Sequence, residues 1–320
     1  MINKLKYALL PGRLRRKWNY DDYLYYRMQE MSIKDIDLLL TPIELDTAER
    51  QLNSDSIRHI FNSKRAFYVG FKEFIIRDVL FGYDYSFQDF KVFIDKHKKI
   101  IIKPNDMYAG IGIYLLELEG DVFKITPGSK NTSEVSLNTF TNGYESIQNV
   151  YDFCIDNHYC IEEYVTGHSS YQDIAPSSLN TIRVTTYIND EKKISILFIV
   201  NQFGYNGSIV DNNEDCCIWA LTDIDTGVVT AVDIDARTGI IYDRHPDTGK
   251  DIVGFVNPHF DEVKKIAVCA AAKYKEARLI GWDIAIRSDG RIEIIEGNVN
   301  PELDLYQAIS HKGLRGILNK

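Results

Sequence analysis

Gly281-Trp282-Asp283-Ile284-Ala285-Ile286-Arg287-Ser288-Asp289-Gly290-Arg291-Ile292-Glu293-Ile294-Ile295-Glu296-Gly297-Asn298 is the stretch whose reading decides the fold. The apolar-rich runs on either side of Asp289-Gly290 read as two strands, and that dipeptide favours a tight two-residue hairpin turn. Such a turn sets Ser288 opposite Arg291 and, counting outward, Asp283 opposite Glu296. Side chains paired in this way stand about 5 Å apart on one face of the sheet, where like charges repel. Asn298, two residues further on, returns to the same face. Two carboxylates and an amide oxygen make a hard-oxygen cradle suited to Mg²⁺. The plainer reading is an edge hairpin whose acids face water. Register decides between the two, because a three-residue loop would slip the pairing and send the carboxylates to opposite faces.

The 320 residues suffice for one large domain or two to three small ones with a real core. Apolar and charged fractions of 45% and 26% place the chain among soluble globular proteins. No apolar run approaches the roughly 20 residues needed to span a bilayer. A net charge of −9 argues against nucleic acid as the main partner. That charge is unevenly spread. Lys4, Lys6, Arg13, Arg15, Arg16 and Lys17 put +6 and no acid into the first seventeen residues, which leaves −15 on the rest. With Leu9, Leu10, Leu14 and Trp18 as its apolar side, this segment has the composition for peripheral contact with an anionic membrane surface. Its plainer reading is a solvated helix end. It does not read as a secretory signal, since the apolar stretch runs only from Tyr7 to Leu10 before Pro11-Gly12. Five cysteines without a Cys-x-x-Cys spacing speak against a disulfide framework or a zinc site, and Cys216-Cys217 read as half-buried strand residues. The expected compartment is the cytoplasm, at most at the inner face of the membrane.

Along the chain, residues up to about 60 look helical, with Asp46-Thr47-Ala48-Glu49 resembling a helix start. A break at Gly82-Tyr83-Asp84-Tyr85 precedes a helical stretch from Phe87 to Lys96, and Lys99 to Lys103 reads as a short buried strand ended by Pro104. Strands are expected at Ile113–Leu118, Val122–Ile125 and Tyr159–Val165, with helical spacing from Tyr144 to Asn157. A strand-rich region follows at Asn180–Ile188, Ile194–Phe203, Cys216–Leu221 and Val228–Ile234, then a helix from about Pro258 to Glu276. The layout is α+β with antiparallel sheets.

Three further stretches carry chemistry. Lys103 closes a strand ahead of Asn105-Asp106-Met107-Tyr108-Ala109-Gly110-Ile111-Gly112, where a lysine and glycine-freed backbone N–H groups suit phosphate oxygens. This is neither a Walker loop nor a dinucleotide fingerprint, and alone it is as well read as a hairpin turn. Cys160-Ile161-Glu162-Glu163-Tyr164-Val165 sets two acids inside an apolar strand that leads into Thr166-Gly167-His168. Such a junction suits an adenine edge with an acid near the ribose; the plain alternative explains one solvent-facing Glu better than two. Arg183 stands among β-branched residues and needs an anion, either phosphate, a carboxylate or an internal ion-pair partner.

Taken in order, these motifs resemble the ATP-grasp superfamily, and within it the sugar-transfer-associated ATP-grasp family. The resemblance rests on Ile101-Ile102-Lys103-Pro104 with Gly110-Ile111-Gly112, on Glu162-Glu163-Tyr164-Val165 and on Ser177-Ser178-Leu179-Asn180-Thr181-Ile182-Arg183-Val184. It continues in Gly281-Trp282-Asp283-Ile284-Ala285, Ile295-Glu296-Gly297-Asn298, His245-Pro246-Asp247-Thr248-Gly249 and Asn257-Pro258, and spans roughly residues 60 to 310. It implies an ATP-grasp fold of two α+β subdomains whose antiparallel sheets sandwich ATP: a helical segment over 1–60, nucleotide-binding subdomains over 61–165, and a metal-bearing subdomain over 166–320. By the same resemblance Lys64, Lys103, Gly110 and Gly112 would meet the phosphates. Glu162, Tyr164 and Val165 would line the adenine hinge with Glu163 or His168 nearby, and Asn180 would join the nucleotide site. Arg183 would act with Lys103 on the reacting phosphate, and Asp283, Glu296 and Asn298 would hold Mg²⁺. One departure concerns Asp211-Asn212-Asn213, where Cys216-Cys217 take the place of two glycines and stiffen the loop.

The activity so implied is carboxylate–amine ligation through an acyl phosphate, in which the protein positions and neutralises charge and needs no Ser or Cys nucleophile. The expected partners are a small or glycan-linked carboxylate, such as a sugar acid of a surface polysaccharide or its precursor, and an amine. The rival readings are an ATP-grasp kinase acting on a hydroxyl and a non-catalytic nucleotide-binding module.

Overall fold

A computed structural model of the chain describes residues 2–81, 85–107, 110–128, 143–211, 216–233 and 241–318. Of the expected features, the break at Gly82-Tyr83-Asp84, Tyr108-Ala109 of the glycine loop, Asn212-Asn213 and Ile234 lie outside them.

Short helices come first: α1 Ile2–Ala8, α2 Gly12–Lys17, α3 Tyr20–Tyr25, α4 Ile33–Leu38, α5 Pro42–Leu52, α6 Asp55–Asn62 and α7 Lys64–Phe71. The start expected near Asp46 falls inside α5. The helix begins four residues earlier, where Thr41 accepts from the Glu44 N–H, Glu44 returns the bond to the Thr41 N–H, and Pro42 presets the first φ. Leu10, Leu14 and Trp18 of the basic segment turn inward with Tyr23, Tyr26 and Met28 to form a small core of their own.

The first sheet holds β1 Val79–Phe81, β2 Lys99–Pro104, β3 Tyr114–Glu119, β4 Val122–Pro127, β5 Tyr144–Ser146 and β6 Tyr159–Glu163, in the order β1-β6-β2-β3-β4-β5, all antiparallel. Helices α8 Phe87–His97 and α9 Ile147–Asp156 cover one face. Tyr144 to Ser146, expected within that second helix, are the edge strand β5, and Ser146 caps α9 by accepting from the Asn149 N–H. Strand alternation divides β2 cleanly. Ile100 and Ile102 join Phe90, Phe93, Val150 and Ile161 under the helices, while Ile101 and Lys103 point the other way, into a cleft.

The second sheet holds β7 Thr181–Ile188, β8 Ile194–Gly204, β9 Cys217–Thr222, β10 Val229–Val232, β11 Leu279–Ile286 and β12 Ile292–Asn298, in the order β10-β9-β8-β7-β11-β12. Between the sheets runs the short helix α10 Ser169–Gln172, and α11 Phe260–Lys273 precedes β11. One face of this sheet packs Ile182, Val184, Ile199, Ile280, Trp282 and Ile284 against α6, α7 and α11. The other face changes character along its length. At one end Tyr187, Phe198 and Leu279 lie under α5, α12 Leu303–Ser310 and α13 Arg315–Leu318. At the other, Thr181 and Asp283 open into the cleft.

The β11–β12 hairpin reaches the expected pairing by an unexpected route. Its loop is Ser288-Asp289-Gly290, three residues rather than two. The Arg287 N–H donates to Arg291 O, the Gly290 N–H donates to Arg287 O, and Gly290 sits at φ +81°. A left-handed residue after a type I turn suits glycine, and it shifts the register by one. Ala285 therefore faces Glu293 and Ile284 faces Ile294. A bulge at Ile295 restores the count, so Asp283 still faces Glu296 and Gly281 faces Asn298.

Candidate active site

Three neighbouring strands lay a charged row across the second sheet. Arg183 of β7 pairs in register with Asp283 of β11, which pairs in register with Glu296 of β12. Arg183 holds Asp283 with two parallel bonds, Nε to Oδ1 at 2.7 Å and Nη2 to Oδ2 at 2.8 Å, and its Nη1 donates to Glu302 at 2.7 Å. Gln202 Nε2 also donates to Asp283 Oδ1 at 3.0 Å, and Asn298 Nδ2 donates to Oδ2 at 3.0 Å. The Trp219 ring lies 4.9 Å from the Arg183 guanidinium.

The first sheet answers with cations. Lys103 Nζ is 2.8 Å from Glu162, whose other oxygen accepts from Arg77 Nε at 2.9 Å. Arg77, buried, crosses to the second sheet and donates to Glu293, Ile294 O and Ile295 O. Arg287 crosses as well, bonding both Glu163 and Glu293. Glu162 and Glu163 are thus neighbours on opposite faces of one strand, each with its own arginine. Lys64 donates to Met107 O at 2.7 Å, which ties the start of α7 to the loop after β2.

Two cavities open on this row and share Lys64, Lys103, Glu162 and Glu296 in their walls. One is an apolar slot between the sheets, floored by Ile101 and Ile113 and roofed by Leu179, Ile209 and Val210, with Tyr164 and Val165 at its side. The other is a chamber of about 600 Å³ walled by Arg58, Tyr68, Phe81, Arg183, Trp219 and Asn298.

The profile of the sugar-transfer-associated ATP-grasp family matches residues 49–320. The chain belongs to that family. No curated relative matches the sequence. Solved structures similar to it include an N5-carboxyaminoimidazole ribonucleotide synthetase in complex with ADP (TM-score 0.44, 8% identity, 75% of this chain and 45% of that one). Others are the D-cycloserine synthetase DcsG (0.45, 10%, 82% and 72%) and the ATP-grasp ligase PsnB with a variant precursor, Mg and ADP (0.45, 12%, 84% and 60%). This ATP-grasp chain thus spans less than half the length of the first of these.

Of the residues the sequence assigned to a nucleotide and a metal, Lys64, Lys103, Gly110, Glu162, Glu163, Tyr164, Val165, Arg183, Asp283, Glu296 and Asn298 all line one or both cavities. Gly112, His168 and Asn180 do not line either. Gly112, at φ +75°, lies so near Pro104 that a Cβ would come within 2.8 Å of its ring, so its lack of a side chain serves close packing. His168 caps α10 by accepting from the Ser170 N–H. Asn180 spends its amide on Ala175 O, Ser178 and the Gly204 N–H. Two other family-like stretches are likewise structural in their contacts: His245 bonds Gly204 O, and Asn257 bonds Asn201, Tyr171 and Gly227 O. Sequence reading missed Arg77, Arg287, Gln202, Trp219 and Glu302. Each acts across elements distant in sequence, and a solitary Arg or Gln carries no local mark of its partner.

Burial and charge set the protonation of the site. Burial alone would raise Glu162, yet Arg77 and Lys103 outweigh it and hold the carboxyl at about 2. Burial likewise opposes ionisation of Glu296, but Lys64, Lys103 and Arg183 bring it below the ordinary carboxylate range. Lys64 is lowered by its own burial and by Lys103. Asp211, which roofs the slot beside Thr181, is raised to about 7 by burial, against the pull of its bonds to the Thr181 hydroxyl and N–H.

Proposed function

We propose that this chain is an ATP-dependent carboxylate–amine ligase that binds ATP in the slot between the sheets and joins an acid and an amine in the adjoining chamber. The observation that carries this reading is the junction of the two cavities. Lys64, Lys103 and Arg183 bring three positive charges there, beside the paired carboxylates of Asp283 and Glu296. An apolar slot suits a purine ring, with backbone groups of Glu163 to Val165 at its edge. The cations then suit the phosphates, and the chamber suits a co-substrate.

Mg²⁺ fits the donor set. Asp283 and Glu296 face each other in register, and Glu296 is held ionised by surrounding cations. Both Asp283 oxygens already accept two N–H groups. Turning the Asn298 amide over frees one position on Oδ2 and presents an oxygen in its place, since the amide O and NH₂ are nearly interchangeable in shape. Glu296, Asn298 and Asp283 would hold the ion, which would shield phosphate charge.

In this reading the substrate carboxylate attacks the γ-phosphorus and ADP leaves. The acyl phosphate is then opened by the amine, which releases inorganic phosphate and a proton as the amide forms. Lys103 and Arg183 offset the charge that develops on the transferred group. The acid we assign to this site is a sugar acid or glycan-linked carboxylate, a reading that the family's association with sugar transfer supports. The test is ADP release across a matrix of sugar acids and amino acids. Release that needs both an acid and an amine supports the reading, with Asp283→Ala and Glu296→Ala slowing it by at least about a hundredfold. Release with a stable phosphoester and no amine dependence would overturn it in favour of a kinase.

A further inference from the structure

The basic segment holds a surface that the ligase reading leaves unused. Sequence alone gives its apolar side to Leu9, Leu10, Leu14 and Trp18, but the structure divides those four. Leu10, Leu14 and Trp18 are buried, packed with Tyr23, Tyr26 and Met28 and with Ala308 of α12. The leucines left outside are Leu5, 62% exposed, and Leu9, 78% exposed. They stand one helical turn apart, as the Leu9 N–H donates to Leu5 O at 3.1 Å. Two of the six basic residues are engaged within the protein, Arg13 by Asp37 and Lys17 by Glu44. Lys6, Arg15 and Arg16 are exposed and have no ion-pair partner among the described residues, and Lys4, also exposed, lies over the Tyr20 ring.

A single exposed leucine is ordinary, whereas two one turn apart, beside exposed cations of which Lys6, Arg15 and Arg16 have no ion-pair partner among the described residues, make an amphipathic surface whose inward side is already packed. We propose that this surface rests on an anionic lipid bilayer. Leu5 and Leu9 enter the boundary between headgroups and acyl chains, and Lys4, Lys6, Arg15 and Arg16 face the lipid phosphates. Charge complementarity selects the occupant: four of the segment's six cations lie outside the described ion pairs while the remaining residues carry −15, so a flat anionic sheet attracts this side and repels the others. A long nucleic acid would bring its charge against the acidic remainder and give no apolar entry for the leucines. Contact is peripheral, since among the described residues no helix is long and apolar enough to cross a membrane. The layer packs on α12, and Glu302, which flanks α12, lines the chamber, so adhesion would hold the chamber-bearing unit against the lipid surface.

Sedimentation of the full chain with vesicles tests this, using phosphatidylcholine alone and phosphatidylcholine mixed equally with phosphatidylglycerol. The expected result is partition at least about tenfold stronger into the anionic vesicles, weakening as salt is raised. The triple variant Lys6→Glu/Arg15→Glu/Arg16→Glu should lose about a hundredfold. Leu5→Ser/Leu9→Ser should weaken binding about tenfold at every salt concentration. These side chains are exposed, so the unfolding midpoint should stay unchanged in both variants. Equal binding to both vesicle types, binding to neither, or full binding by the triple variant overturns the proposal. So does retention on heparin as tight as on the anionic vesicles and indifferent to the leucine change, which would mark a general polyanion site.

Discussion

In the first sheet, the face turned to α8 and α9 carries Ile100, Ile102, Phe123 and Ile161, packed against Phe90 and Phe93 of α8, and the buried charges Lys103 and Glu162 sit on the opposite, cleft-facing side. In the second sheet both faces are covered for much of their length, and Arg183, Gln202, Asp283 and Glu293 lie buried within it. A sheet with one open face can leave its polar residues at the opening. A sheet enclosed on both sides has to neutralise the charges it buries, and the second sheet does so by pairing Arg183 with Asp283 across strands and Glu293 with Arg77 and Arg287. The candidate site lies where these two arrangements meet, with Lys103, paired to Glu162, and Lys64, bonded to Met107 O, set against the carboxylates of Asp283 and Glu296.

This contrast can be broken most forcefully at Arg183. Arg183→Met should cost about 3–5 kcal/mol in denaturant unfolding, because it strands the buried Asp283 carboxylate. A loss under about 1 kcal/mol, the size found for exposed pairs, would show that the row contributes little to the fold. In the first sheet, Phe90→Ala should also cost about 3–5 kcal/mol, by leaving a cavity rather than a charge, and so should be the less sensitive of the two to pH.

Glu162, where the sheets connect through Arg77, sharpens the comparison. Its folded-state carboxyl lies at about 2 against an ordinary 4.5. A depressed folded value means the stabilisation is fully present above about 4.5 and is lost as pH falls toward 2. The difference amounts to about 3 kcal/mol at neutral pH. Glu162→Gln should therefore flatten the acid limb of the stability curve over that window, and an unchanged limb would place the acid sensitivity elsewhere.

The hairpin shows how far local sequence can be read. Asp289-Gly290 announced the turn, and Asp283 opposite Glu296 proved to be the pairing. Yet two departures, a three-residue loop and a bulge at Ile295, cancel to give it. Nothing in Ile294-Ile295-Glu296 marks a bulge locally, because bulges answer to what packs on each face. Arg77 and Ile295 O crossing beside it are contacts between distant segments. Strands and long helices were legible because their periodicity is local. The partnership of Arg183 with Asp283 was not, since it depends on β7 lying beside β11, residues a hundred positions apart. Among smaller effects, Gly290→Ala should cost about 1–2 kcal/mol through its left-handed backbone. Glu302→Gln, which removes an exposed partner from Arg183, should cost under about 1 kcal/mol.

The central claim is that ATP and Mg²⁺ meet where the slot opens onto Asp283 and Glu296. Calorimetric titration with a non-hydrolysable ATP analogue, with and without Mg²⁺, tests it on the wild type and on Glu296→Gln. The account predicts binding that tightens at least about tenfold with Mg²⁺ in the wild type and loses that gain in the variant. Equal affinity with and without the ion, or a gain that survives Glu296→Gln intact, would contradict it.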